Sequence, residues 1–247
     1  MPCPSESMNG IFPVFTLRRG FRLVLASTSP RRKQFLEEWG VPFLTHGIDA
    51  PEPCPFNGET PAAYARRAAV AKAQAVARFL LPDIAKLSDT LVLGADTVVT
   101  VDGEILGKPR NDEHALSMLQ RLNGRCHEVI SAVCLLIPST AQGSIPPAAT
   151  VIDSTAYALQ EETFEYCHQL SFIDTSRVCF SLWPLDVLEA YVRTGEPADK
   201  AGAYAIQGQG AFLLEHIEGS WCTVVGLPVM LLARLLLHFG LMKPVLR

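Results

Sequence analysis

The stretch "FRLVLASTSPRRKQFLEEWG", residues 21–40, constrains the fold more than any other. Residues 22–26, "RLVLA", form a short apolar run that reads as a buried strand. Ser29 suits a helix N-cap, and Pro30 suits the first helical position. Phe35, Leu36 and Trp39 then fall on one helical face, and Gly40 stops the helix. A buried strand passing straight into a capped helix needs helices packed on a sheet, so it points to an α/β architecture.

The alternation continues along the chain. Thr60-Pro61 opens an alanine-rich helix that runs to about residue 81. Residues 90–101, "TLVLGADTVVTV", read as a strand. Asp102-Gly103 is a two-residue hairpin signal, with "EILGK" returning beside it. Asn111 can cap a helix in which Ala115, Met118, Leu119 and Leu122 repeat before Gly124. Residues 128–137 are strand-like, and "PSTAQGSIPPAAT" is a loop. The pattern predicts two pairing strands at 151–159 and 177–183, with 160–176 left without a clear assignment. It further predicts a helix over 184–194, a hairpin over 211–226 and a last helix from Pro228. The expected class is α/β with a sheet mixing hairpins and crossovers. Residues 1–20 read as a loose N-terminal extension, and 21–247 as a single domain with no internal repeat or long linker.

Composition narrows the partners. The net charge is −4 over 247 residues, and no basic stripe is present, so polymeric nucleic acid is not an expected partner. The N-terminus lacks the basic-then-apolar order of a signal peptide. "LPVMLLARLLLHFGLM" is too short, and too interrupted by Arg234 and His238, to span a bilayer; it reads as a packing helix. No membrane association is expected. Seven cysteines, Cys3, Cys54, Cys126, Cys134, Cys167, Cys179 and Cys222, are scattered without a CxxC pair. They read as reduced thiols in a cytoplasmic protein, and the adjacent Cys167-His168 has no second ligand pair at zinc-site spacing.

The chemistry concentrates at a few places. At the strand-to-helix corner, Ser27, Thr28 and Ser29 supply hydroxyls, and the helix N-terminus supplies unpaired N–H groups. Arg31 and Arg32 add forked cations suited to phosphate. The corner is therefore composed like a phosphate site, although a capped helix with two solvated arginines uses the same residues. If Asp102-Gly103 turns the hairpin, Thr97 faces Lys108, which brings Lys108 near Asp96. Strict pairing would put those two on opposite faces, and a bulge near Gly107 would be needed to join them. Gly94 and Gly107 suit close approach of a ligand or a second backbone. Lys72 sits on an alanine-lined helix, where a lysine ordinarily snorkels to solvent, but the small neighbours also permit close approach. The glycine-dense "DKAGAYAIQGQGA", 199–211, could wrap a ligand with backbone groups, with the Gln207 amide reading a base edge. The chain lacks a P-loop, a full GxGxxG, an HExxH and a GxSxG elbow. The acidic pairs Asp186 with Glu189 and Glu161 with Glu162 read as helix-end or solvated groups.

Five blocks, "LVLASTSPRRKQFLEEWGV", "GADTVVTVDGEILGKP", "MLQRLNGRCHEVISAV", "EPADKAGAYAIQGQGA" and "VVGLPV", occur in an order that resembles the Maf family of nucleoside triphosphate pyrophosphatases. The resemblance runs from about residue 22 to 240. It implies a mixed, elongated central sheet flanked by helices, similar to the inosine triphosphatases. It also implies hydrolysis between the α and β phosphates of a nucleotide, with a divalent metal cation such as Mg or Mn. By motif, Asp96 would activate water and share the metal with an acidic residue after the second strand, Glu52 or its rival Asp49. Ser27, Ser29, Arg31 and Arg32 would contact phosphate, and Lys72 and Lys108 would occupy the two basic positions. Arg31, Thr97 and Gln207 resemble the branch acting on dTTP and UTP rather than the branch acting on 7-methyl-GTP. A nucleotide-sensing regulator without turnover would use the same pocket. The expected partner is a small-molecule nucleoside triphosphate, and family analogy admits a homodimer.

Overall fold

A computed structural model describes residues 13–47, 53–80, 88–141 and 147–246. In chain order the strands are β1 Phe15–Leu17, β2 Arg22–Ala26, β3 Phe43–Thr45, β4 Thr90–Val101, β5 Glu104–Leu106, β6 Cys126–Pro138, β7 Gln160–Thr163, β8 Cys167–Phe180, β9 Leu214–Glu218 and β10 Met242–Pro244. The helices are α1 Pro30–Trp39, α2 Pro61–Leu80, α3 Asp112–Leu122, α4 Leu185–Val192, α5 Trp221–Val225 and α6 Val229–His238. An eight-stranded mixed sheet runs in the order β3-β2-β4-β6-β8-β7, with β5 beside β4 and β9 beside β8. β2 is parallel to β3 and β4, and the remaining pairings are antiparallel. β4, β6 and β8 have 12, 13 and 14 residues. At a rise of ~3.3 Å per residue this makes the sheet centre elongated.

The two-residue period of the strands decides which layer each side chain joins. Leu23, Leu25, Leu91, Leu93, Val133 and Leu135 face α1 and α6, where Phe35, Leu36, Leu231, Leu232, Leu235 and Leu236 are buried. Their alternates, Val24, Ala26, Val92, Ile130 and Ala132, face α2 and its buried Ala65, Ala69 and Ala73. The alanines serve a close approach: a Cβ added at Gly94 of β4 would lie 2.4 Å from the Ala69 carbonyl oxygen and 2.9 Å from Ala73 Cβ. The second backbone that Gly94 admits is therefore α2.

Several sequence expectations need correction. Residues 151–159 do not form a strand. The Asp153 carboxylate accepts N–H bonds from Thr155 and Ala156 at 2.8 and 2.9 Å, and this local turn captures the segment. The partner of the strand expected at 177–183 is β6, and that strand, β8, begins ten residues earlier at Cys167. Part of the unassigned 160–176 segment is the β7–β8 hairpin. The hairpin expected at 211–226 is half right: β9 pairs with β8, but Ser220 then caps α5 by accepting the Thr223 N–H. Within the expected loose extension, β1 pairs with β10 and Phe15 packs edge-on against Trp39. Cys126 and Cys179, expected as free thiols, are joined in a disulfide; they stand directly opposite each other on β6 and β8, 53 residues apart in sequence. Cys54, Cys134, Cys167 and Cys222 are free.

Candidate functional site

The site follows from how β4 is paired. β2 covers one edge of β4 only through Gly94, and β5 covers that same side only from Val99. Ala95, Asp96, Thr97 and Val98 lie between these two partners, while β6 holds the other edge. A cavity of about 510 Å³ opens against this stretch. Because Asp96 and Thr97 are neighbours on a strand, they point into different layers. Both still border the cavity, since it sits at the end of β2 where the corner loop turns into α1. Ligands in α/β sheets commonly occupy this position, outside the carboxyl end of a strand.

Ser27, Thr28, Ser29, Pro30, Arg31, Arg32, Lys72, Asp96, Thr97 and Lys108 line the cavity, together with Asp199, Lys200, Tyr204 and Ile206. On the α2 side, the Lys72 ammonium donates to Asp96 Oδ1 at 2.5 Å. The lysine is held there because α2 lies so close to β4. On the α1 side, the buried Arg32 donates from Nε to the Gly226 carbonyl at 2.8 Å, from one terminal nitrogen to Ser27 Oγ at 3.2 Å, and from the other to Thr97 Oγ1 at 3.0 Å. Thr97 Oγ1 lies 2.8 Å from Ser131 Oγ, which donates in turn to the Thr223 carbonyl. Gly226, at φ +124°, lets the backbone reach Arg32; a Cβ there would lie 3.2 Å from Thr97 Oγ1.

Ser29 occupies the N-cap position of α1, but its side chain makes no capping bond. Its own N–H instead donates to Ser27 Oγ at 3.2 Å. Lys108 reaches the cavity without the bulge expected near Gly107. The β4–β5 ladder ends at Leu106 opposite Val99, so face alternation no longer governs the residues that follow.

The far wall was only partly foreseen. Asp199, Lys200 and Tyr204 lie in the glycine-rich segment, which folds as short 3₁₀ turns. The Asp199 carboxyl is held below the usual carboxylate range, chiefly by the Lys200 hydrogen bond and, to a lesser degree, by the charge of Arg31. Thus Arg31 reaches across electrostatically to this wall. Glu196 anchors the segment by accepting the N–H groups of Gln209 and Gly210 at 3.1 and 2.8 Å. The Gly202 N–H donates to the Gly107 carbonyl at 3.1 Å, which ties the wall to the stretch carrying Lys108. Tyr204 is backed by His127, whose Nε2 is 2.8 Å from the phenolic oxygen. Burial pushes the His127 imidazole down to about 4 and the Tyr204 phenol up. Gln207 is half-buried and does not line the cavity, although its neighbour Ile206 does. Asp49 and Glu52 lie outside the described residues.

Comparisons with known proteins agree with the block pattern. Residues 22–239 match the family model described as Maf-like protein. The dTTP/UTP pyrophosphatase of Oleidesulfovibrio alaskensis is 45% identical over 222 residues, covering 90% of this chain and 87% of the relative. That of Nitratidesulfovibrio vulgaris is 46% identical, covering 88% of each chain. That of Methylococcus capsulatus is 42% identical, covering 89% of this chain and 92% of the relative. By its family-model match over residues 22–239 and its likeness to these proteins, the chain belongs to the Maf-like protein family.

Proposed function

We propose that this protein hydrolyses nucleoside triphosphates between the α and β phosphates, with dTTP and UTP as preferred substrates. One observation carries the reading. Four cations, Arg31, Arg32, Lys72 and Lys108, drawn from three separate stretches of the chain, converge on a single cavity around Asp96. A triphosphate carries about four negative charges near neutral pH, and such a set offsets them. The names of the relatives favour the pyrimidine substrates.

In this reading Asp96 orients a water molecule and takes its proton as the oxygen attacks the α phosphorus. The bond from that phosphorus to the bridging oxygen breaks. The products are the monophosphate and pyrophosphate, whose developing charge is met by the lysines and Arg31. Arg32 acts through position: its bonds to Ser27, Thr97 and Gly226 hold the corner in shape. The carboxylates of Asp96 and Asp199, among hydroxyls, form a donor set that fits a hard divalent cation such as Mg or Mn. Bound there with substrate oxygens, that ion would supply charge neutralisation along the phosphate chain. Gln207 is the proposed base reader, beside the cavity-lining Ile206.

The test is pyrophosphate release from dTTP, UTP and 7-methyl-GTP with Mg or Mn. Asp96→Asn is expected to lose at least about 100-fold in turnover while its circular dichroism stays unchanged. Near-normal turnover by that variant would remove Asp96 from its role. Tight binding of the nucleotides with no release by the unaltered protein would make it a nucleotide sensor. A preference for 7-methyl-GTP would reassign the substrate.

A further inference from the structure

A second constellation lies away from the nucleotide cavity, where three strands run side by side. Cys126 on β6 stands opposite Cys179 on β8, which stands opposite His216 on β9. Glu218 lies two residues beyond His216, on the same face of β9. The Cys179 sulfur, a His216 ring nitrogen and a Glu218 carboxylate oxygen all fall within 4.8 Å of one another. The Cys126 sulfur is bonded to that of Cys179. Cys126 is three residues from the cavity-lining Val129, so strand alternation puts it on the other face of the sheet.

We propose that in the reduced chain Cys126, Cys179, His216 and Glu218 form a binding site for a zinc-class divalent cation. Two thiolates, an imidazole and a carboxylate make a four-donor set suited to tetrahedral, borderline-soft metals. A disulfide serving only as a staple needs neither His216 nor Glu218, yet both converge on its sulfur. A register shift between Cys179 and Phe180 turns this part of β9, and such irregularities re-aim side chains. His216 and Glu218 are half exposed, which leaves a path for the ion. Arg177 holds the Glu218 carboxylate at 3.2 and 3.3 Å, but an exposed pair of this kind is weak and yields to a coordinated metal.

Disulfide and metal are alternative uses of the same sulfurs. A thiol-class reductant supplies two electrons and two protons, the sulfur–sulfur bond breaks, and the reductant departs as its own disulfide. Metal binding then releases the two thiol protons to solvent. The site is therefore open only when the chain is reduced.

The experiment titrates the full-length protein, reduced with a phosphine and stripped of metal, with Co²⁺. One equivalent should bind with the intense visible bands of tetrahedral cobalt and a near-ultraviolet thiolate-to-cobalt band, and Zn²⁺ should displace it. The carboxylates of the nucleotide cavity cannot give the thiolate band. Cys126→Ser or Cys179→Ser should each weaken it, since one thiolate remains, and the double variant should abolish it. His216→Ala and Glu218→Gln, both at exposed positions, should each weaken binding by at least about 100-fold, since losing a ligand costs no less than losing the partner that supports one. A six-coordinate spectrum without the thiolate band would overturn the proposal. So would a band that survives the double serine variant or reoxidation, or an affinity unchanged in both exposed variants.

Discussion

The two walls of the cavity around Asp96 are built in different ways. The corner wall, Ser27 to Arg32, hangs between β2 and α1 and is bonded to Thr97 and Gly226 by a buried guanidinium. The far wall, Glu196 to Gly210, is a run of 3₁₀ turns with Gly202 and Gly208 at positive φ, held at a few points by the Glu196 carboxylate, the Tyr191 phenol that accepts the Ala205 N–H, the Gly107 carbonyl and His127. A wall fixed by regular elements can hold phosphate groups in register, because its donors are set before the ligand arrives. A wall of turns anchored at a few points can move against the ligand while breaking few of its own bonds. Under the proposed function, the corner would hold the phosphate chain and the turns would fit around the rest of the nucleotide.

The comparison breaks most visibly at two adjacent arginines. Arg32→Ala would strip partners from Ser27, Thr97 and the Gly226 carbonyl in a buried place. We expect it to lower unfolding free energy by about 3 kcal/mol, read from urea melts. Arg31→Ala, at a half-buried position, should shift stability by less than ~0.5 kcal/mol while raising the KM for dTTP. Equal stability losses in the two variants would mean that the corner is not organised around Arg32.

Acid should act on the support of the far wall. The buried His127 is held near 4 against an ordinary value of 6.5. Between these values the unfolded chain binds a proton that the folded chain lacks. The stability linked to this residue is therefore complete above about pH 6.5 and falls as pH drops toward 4. From pH 7 to pH 5 the loss should be about 2 kcal/mol in urea midpoint experiments. His127→Gln, which keeps a polar group near Tyr204, should flatten that slope; an equal slope in the variant would place the titration elsewhere.

The corner wall was legible in the sequence, and the far wall only in part. Pro30, Gly40 and the Asp102-Gly103 turn act locally, so short-range patterns exposed β2, α1 and the β4–β5 hairpin. The gathering of Lys72, Asp96 and Lys108 depends on α2 nestling over Gly94 and on β5 stopping at Leu106, which only the three-dimensional pairing reveals. Family resemblance, rather than spacing, named those residues. Asp199 and Lys200 lay in a motif already singled out, and a carboxylate-lysine pair like that of Asp96 and Lys72 was the available signal. Residues 151–159 misled because alternating side chains outweighed the turn chemistry of Asp153. The Cys126–Cys179–His216 row was invisible because its members meet only through strand register.

The smallest effect should come from loosening the far wall without touching the chemistry. Glu196→Gln replaces one accepting oxygen with an amide group that faces the N–H donors of Gln209 and Gly210. Gly208 adds to the constraint, since a Cβ there would lie 2.0 Å from Glu196 Oε1, so the turn and the carboxylate fit as one piece. Losing one charge-assisted bond of this kind should raise KM for dTTP about tenfold, the equivalent of roughly 1.4 kcal/mol. The turnover number should hold, because Asp96, Asp199 and the corner cations are all retained. A fall in kcat at constant KM would reverse the assignment, since it would mean that the turns engage the transition state rather than the nucleotide alone.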